Sequence, residues 1–449
     1  MKELSFEIIS PHSAGIDVGS RFHMVAAGQT AQDVKKFGVF TDDHNQMIRW
    51  LTQRGITSIA MESTGNYWQT LFDALQGAGF EVELVNGNQI KNVKGKKTDV
   101  QDCMWIQKLH SLGLLTGSFL PQADLQKLRT YYNHRQHLIN QAARYVNKMQ
   151  KAMRLMNIRL EVVLNDVTGK SGRAIIEAML GGERNPVTLA SLADYRVKTP
   201  KEEIARALEG NWREDLLFEL RECLSFYDFY SAKIKECDDH LAVQIARLPK
   251  AKSAALTVPA KRKTASKFSP GFDVEKLAQD YFGVNLFQIG GVSHNTVLCL
   301  LTHMGRDIHK FSSAKHFASW LRLSPNNKIS GGKVLSSRTP KGKNKIALAL
   351  RQAANSAGNQ KNHPMTPFFR RIAHKKGREA AVTATARKLA VTIWRMITHR
   401  ENYIPFDYEK QRQESRIKQI SRLKHKLHSL NLEDDELRSM FKNLSFSAT

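Results

Sequence analysis

The chain has 449 residues, 41% of them hydrophobic, with 68 Lys or Arg against 42 Asp or Glu and a formal net charge of +26. That length supports about two or three domains with sizeable cores, and the charge calls for nucleic acid or an anionic surface as partner. No apolar run reaches the roughly 18 residues that span a bilayer, so a membrane is the weaker partner. Met1 to Ser10 do not read as a secretory signal. Cys103, Cys223, Cys237 and Cys299 stand singly, which argues against a structural zinc site and a disulfide framework and for a reduced, cytoplasmic protein.

Gly15-Ile16-Asp17-Val18-Gly19 reads as an apolar strand carrying one acid, and Phe22 to Ala27 and Val34 to Phe40 as the second and third strands. Asp17 is hard to dismiss, because an unpaired charge in such a strand is costly. Thr41 is expected as a helix N-cap, with Asp42 and Asp43 in the first turn and Met47, Ile48 and Leu51 on the apolar face. Ile56 to Met61 is the fourth strand, with Glu62 at its carboxyl end. A helix over Asn66 to Gly77 and a strand over Phe80 to Val85 follow. The basic loop Lys91 to Lys97, with Lys94, Lys96 and Lys97, feeds a helix from about Thr98 to Leu112 whose Asp99 and Asp102 share one face. Taken singly, each acid reads as a surface or capping residue. Four of them in so basic a chain point instead to a divalent metal held against phosphate.

After Pro121, Leu128, Tyr131, Arg135, Leu138, Ala142, Tyr145, Met149, Ala152 and Met156 follow a three-four spacing. So do Leu217, Leu220, Leu224, Tyr227, Ser231, Ile234, Asp238, Leu241, Ile245 and Leu248. Two long helices with coiled-coil-like seams satisfy both patterns, although Arg135, Ser231 and Asp238 interrupt a continuous zipper. Spacing leaves an intramolecular antiparallel hairpin and a subunit interface equally open. Gly169 to Lys201, rich in Gly, Pro, Thr and Ser, reads as an inserted loop with short helices. Lys250 to Lys267, basic and free of acids, reads as a mobile linker.

From Ile308 to Arg378 there are sixteen Lys or Arg and no Asp or Glu, the composition of a phosphate-tracking surface. Within it, Leu323 to Lys333 reads as a loop in which Gly331 and Gly332 let backbone approach a ligand. A Ser-Gly-Gly turn alone is usually only a turn. The acid-free surroundings favour a phosphate near Ser330, neutralised by Lys328, Lys333 and Arg338, with Lys341, Lys343 and Lys345 following. Ser336 and Ser337 are rival nucleophiles that spacing leaves open. His294, His303 and His309 are given no catalytic role. In the tail, Ile417, Ile420, Leu423, Leu427 and Leu430 share one face of a basic helix that either grips RNA or docks on a neighbour.

The order of three strands, helix, strand, helix, strand, helix, with acids on the first and fourth strands and a pair on a late helix, resembles the ribonuclease H-like fold in its RuvC-like branch. Together with Ile289-Gly290-Gly291-Val292, Phe311 to Trp320, Leu323-Ser324-Pro325, Ser330-Gly331-Gly332 and Ala386-Arg387-Lys388, the chain resembles the DEDD-type transposases of insertion sequences, a family of bridge-RNA-guided serine recombinases. The likeness covers roughly residues 12–160 and 285–400. It departs at Lys250 to Asp280, in the tail from Glu401, and where Gly290-Gly291 replaces a Gly-Ile-Gly turn.

The resemblance implies an α/β plus α chain: a RuvC-like domain over 1–120, a helical coiled-coil region over 121–249 with an insert at about 160–205, a basic linker over 250–284, a mainly helical transposase domain over 285–400 and a basic helical tail over 401–449. It implies that Asp17, Glu62, Asp99 and Asp102 bind Mg²⁺ (or Mn²⁺) and that Ser330 is the nucleophile forming a phosphoserine link. No ATP is then required, in keeping with the absence of a Gly-x-x-x-x-Gly-Lys-Ser/Thr motif. It further implies donor and target DNA, a noncoding guide RNA and a homodimer or homotetramer as partners. Two other readings stand beside it: a RuvC-like nuclease or junction resolvase that uses water as nucleophile, and a noncatalytic nucleic-acid-binding protein with coincidental acids.

Overall fold

The alternating strands of the amino-terminal third pair into one five-stranded sheet in the computed structural model, which describes residues 7–63, 65–90, 98–120, 123–251, 267–342, 344–405 and 408–429. The chain divides into two compact units, Met1–Leu120 and Pro121–Thr449. The first unit contains β1 (Ser13–Val18), β2 (His23–Ala26), β3 (Val34–Phe37), α1 (Thr41–Gln53), β4 (Ser58–Glu62), α2 (Trp68–Gly77), β5 (Glu81–Val85), α3 (Gly87–Ile90) and α4 (Asp99–Ser111). The sheet order is β3-β2-β1-β4-β5; β1 is antiparallel to β2 and parallel to β4, and β4 is parallel to β5.

Alternation along β1 separates two environments, since successive side chains leave a strand on opposite faces. Ala14, Ile16 and Val18 enter a core with Met47 and Leu51 of α1 and Leu71, Phe72 and Leu75 of α2. Ser13, Gly15 and Asp17 lie on the other face, which α4 covers. Two local expectations change. The third strand ends at Phe37. Thr41 is the first residue of α1, not its cap, because Asp43 Oδ2 accepts the Phe40 N–H at 3.0 Å and holds the chain at Phe40 extended before the helix begins.

Among its described residues the second unit is helical apart from one small hairpin. It runs through α5 (Ala123–Leu155), α6 (Leu160–Val163), α7 (Lys170–Leu180), α8 (Pro186–Ser191), α9 (Lys201–Ala207), α10 (Glu214–Ala246), α11 (Val274–Phe282), α12 (His294–His303) and α13 (Ala314–Trp320). The hairpin strands β6 (Lys328–Ser330) and β7 (Lys333–Ser336) follow, then α14 (Lys345–Asn359), α15 (Thr366–Lys376), α16 (Arg378–His399) and α17 (Tyr408–Ser429).

The two seams meet each other. Tyr131 stacks on His240 and Tyr145 on Phe226 and Tyr230, so α5 and α10 run antiparallel within one chain. Arg135 and Asp238, which interrupt the apolar pattern of each helix, are partners: Arg135 Nη2 donates to Asp238 Oδ2 at 3.2 Å, with Nε on Oδ1. The pair is 1% and 4% exposed, and it also binds the Phe268 carbonyl and the Gly271 N–H. Removing one partner strands a buried charge, so Asp238→Ala is expected to destabilise the second unit by about 3–5 kcal/mol, whereas Arg135→Met with Asp238→Leu recovers most of that loss. Thermal unfolding of the three proteins measures both effects.

The insert, read as a loop with short helices, does carry two of them, α7 and α8. Ile175, Ile176, Met179, Leu189 and Ala190 share one core with the α5–α10 pair, and Arg173 clamps Asp228 at 2.5 and 2.7 Å. The segment read as a linker is folded at its far end, because Val274, Ala278, Tyr281 and Phe282 of α11 are buried, while residues 252–266 lie outside the described residues. Among the described residues no helix is long and apolar enough to cross a membrane.

Candidate nucleic-acid-processing site

Parallel pairing of β1 with β4 determines where the acids fall. Ile16 pairs with Met61, so the next register position sets Asp17 beside Glu62 at the carboxyl ends of neighbouring strands. Both lie on the α4 face: Asp17 is two residues from Gly15, and Glu62 is two from Ala60, which packs with Val85 and Ile106.

Three points show how α4 crosses that face. Gln107 Nε2 donates to the Ser13 carbonyl at 3.2 Å. A Cβ on Gly15 would lie 2.3 Å from the Gln107 nitrogen and 2.5 Å from the Cys103 carbonyl. The charges of Asp17 and Asp102 both act on the Cys103 thiol. The helix therefore runs antiparallel to β1, and one turn of about 5.4 Å passes two strand residues of about 6.6 Å. Gln107 stands over Ser13 and Cys103 over Gly15, so the first turn, with Asp99 and Asp102, falls at the level of Asp17. Thr98 caps that turn by accepting the Gln101 N–H at 3.2 Å, and acids there are favoured by the helix dipole.

Asp17, Glu62 and Asp102 are half-buried and Asp99 is exposed. Among the described residues no three His, Cys, Asp or Glu side chains are gathered closely enough to hold an ion as they stand. Their donor chemistry nevertheless fits one kind of cation. Four carboxylates supply only hard oxygen ligands, which suit Mg²⁺ or Mn²⁺. The Cys103 thiol beside them is unavailable as thiolate, because burial pushes it up to about 12.

Gly15 is the residue that motif reading missed. Its signal is a glycine two positions before an acid inside an apolar strand, where close backbone approach is the usual reason. The neighbours that a methyl group would meet are backbone atoms, so Gly15→Ala must lift α4 from the sheet. About 1–3 kcal/mol of stability is expected to be lost. Because a displacement of about 1 Å costs roughly a hundredfold in rate, strand transfer is expected to fall by that factor, read by an end-joining assay beside a melting curve.

Ser330 lies in the second unit. The Leu323 to Lys333 stretch is not a plain loop: Gly331 and Gly332, at φ 53° and 75°, form the two-residue turn of a hairpin, with Ser330 last on β6 and paired with Lys333 on β7. Two consecutive positive φ values are the requirement of a tight hairpin turn that matches strand twist. Ile329 pairs with Val334 and Lys328 with Ser336. Alternation thus groups Ser330 with two lysines on one face and leaves apolar residues on the other. Lys328, Ser330, Lys333, Arg338 and Lys341 are exposed. Lys345 opens α14, where its ammonium donates to Asn133 Oδ1 at 2.5 Å and desolvation lowers its pKa. Ser336 is half-buried, and its Oγ accepts the Arg338 N–H at 3.4 Å. Lys94, Lys96, Lys97 and Lys343 lie outside the described residues.

A mixed sheet with acids at the carboxyl ends of two neighbouring interior strands, carried on a chain with a helical unit dense in lysine and arginine, has the make-up of a DNA-processing enzyme. Residues 14–158 match a transposase family model of the DEDD IS110 type, and residues 284–370 match the Transposase IS116/IS110/IS902 family. The chain belongs to the IS110 family of insertion-sequence transposases, and its substrate is DNA. No curated protein matches it.

Proposed function

We propose that this transposase is an RNA-guided recombinase that cuts and rejoins DNA through a phosphoserine at Ser330. The observation that carries the reading is the meeting of the carboxyl ends of β1 and β4 with the first turn of α4, in a domain whose strand order agrees with a RuvC-like, ribonuclease H-like fold. Asp17, Glu62, Asp99 and Asp102 would hold Mg²⁺ or Mn²⁺. When bound, such an ion polarises a phosphodiester and favours ionisation of an attacking hydroxyl.

The chain's own groups supply the remainder. Ser330 Oγ, presented at the hairpin turn, attacks phosphorus and loses its proton; the Oγ–P bond forms, the P–O3′ bond breaks, and the departing 3′ oxygen takes up a proton. Lys328 and Lys333, on the same hairpin face, neutralise the phosphate oxygens. A 3′ hydroxyl from another DNA end then attacks the phosphoserine and frees Ser330. The bond energy is kept in the covalent link, so no nucleotide cofactor is needed.

Sequence choice falls to a noncoding guide RNA that pairs with donor and target, leaving the protein to read backbone and shape. The acid-free run from Ile308 to Arg378 supports that division, since phosphate contacts position without specifying. A homodimer or homotetramer, acting within the cytoplasm, completes this reading. The test is to sequence RNA that copurifies with the protein and to combine protein, RNA, donor, target and Mg²⁺. A discrete transcript with two guide-like loops, required for joining, is expected; joining that proceeds equally after RNA removal rejects the guide.

A further inference from the structure

The α5–α10 seam is closed within one chain, so any association through this helical pair must use its outer surface. There α10 is unusual. In a chain of net charge +26, Glu214–Ala246 carries six Asp or Glu against three Lys or Arg even when Asp238, buried on Arg135, and Asp228, clamped by Arg173, are left out. Its outward side also exposes three large aromatic rings, Phe218, Phe226 and Phe229, which are 63%, 44% and 54% accessible. Glu222 lies one turn after Phe218 and one turn before Phe226 and is itself exposed. An acidic, aromatic face is a poor surface for a nucleic-acid backbone. It suits a basic helix with an apolar stripe.

The chain contains such a helix. Tyr408–Ser429 has seven Lys or Arg against two Glu. Ile417, Ile420 and Leu423 fall within one third of its circumference and are 66%, 45% and 60% exposed. Arg416, Arg422 and Lys426 are exposed around them. The apolar arc has no use in binding phosphates, and the aromatic patch is only partly engaged within its own chain: Phe226 stacks on Tyr145, while Phe218 and Phe229 stay more than half accessible. Opposite charge and matching apolar content make each the complement of the other.

We propose that α17 of one copy docks across the outward face of α10 of a second copy, seating Ile417, Ile420 and Leu423 on Phe218, Phe226 and Phe229. The exchange is reciprocal in a two-fold dimer, each copy giving a tail and receiving one.

Sedimentation velocity on the nuclease-treated full-length protein tests it with two variants. A tail variant carries Ile417→Ser, Ile420→Ser and Leu423→Ser; a face variant carries Phe218→Ser and Phe229→Ser. All five positions are exposed, so both variants are expected to melt like the parent. Each is expected to weaken self-association by about tenfold or more, the scale of losing clustered anchors. Mixing the two is expected to restore a dimer fraction that neither forms alone, because the mixed pair keeps one intact tail on one intact face. A parent protein that stays monomeric, unchanged association in either variant, or a mixture without recovery overturns the proposal. A tail variant that sediments like the parent but loses affinity for a DNA or RNA duplex also overturns it, and marks α17 as a nucleic-acid grip.

Discussion

Ser330→Ala is expected to eliminate the covalent protein–DNA species, recovered after denaturation and nuclease digestion, and to reduce strand joining by at least about a thousandfold, the scale on which loss of a nucleophile is felt. The hairpin geometry sharpens the control. Ser336 pairs with Lys328 away from the turn, is half-buried, and has its Oγ engaged by the Arg338 N–H. Ser336→Ala and Ser337→Ala should therefore keep the adduct. A nuclease that uses water would instead keep cutting with alanine at 330 and would never yield an adduct. An adduct that survives Ser330→Ala rejects the serine assignment.

Asp102→Asn is expected to be nearly as severe, a loss on the order of a thousandfold in joining, because a divalent ion contributes several kcal/mol of charge stabilisation to a phosphoryl transition state and would be held less well without this carboxylate. The change is isosteric and lies in a capped, half-buried first turn, so stability should fall only by about the 0.3–1 kcal/mol of lost attraction to the helix dipole. Measuring joining and adduct yield across a Mg²⁺ series separates the possibilities. A metal role predicts that both fall together. Undiminished joining in the asparagine variant would mean that the acids are coincidental. Asp17→Asn should match it, since Asp17 stands at the level of the same helical turn.

The residues differ in how much they disclosed in advance. The placement of Asp17 on a strand follows from the apolar residues around it, and that of Asp99 and Asp102 in the first turn of one helix from their three-residue spacing. Gly15 was not, since a glycine's meaning lies in what approaches it, here the backbone of α4. Arg135 and Asp238 looked like flaws in two separate zippers until the helices were laid side by side. The short helices of the insert follow from its sequence, but not that Ile175, Ile176 and Met179 join the core of the α5–α10 pair, which depends on partners far along the chain. Ser330 looked like a loop residue because hairpin pairing depends on strand partners that composition does not reveal.

Sequence by itself determined the order of elements in the amino-terminal unit, the two long helices and the basic character, because periodicity and charge act over a few neighbouring residues. Tertiary structure decided which elements touch: β1 beside β4, α4 laid over Gly15, α5 folded onto α10 in one chain, and an acidic aromatic face left outward. Those outcomes depend on contacts between segments tens of residues apart, where burial and pairing across the whole chain outweigh any local preference.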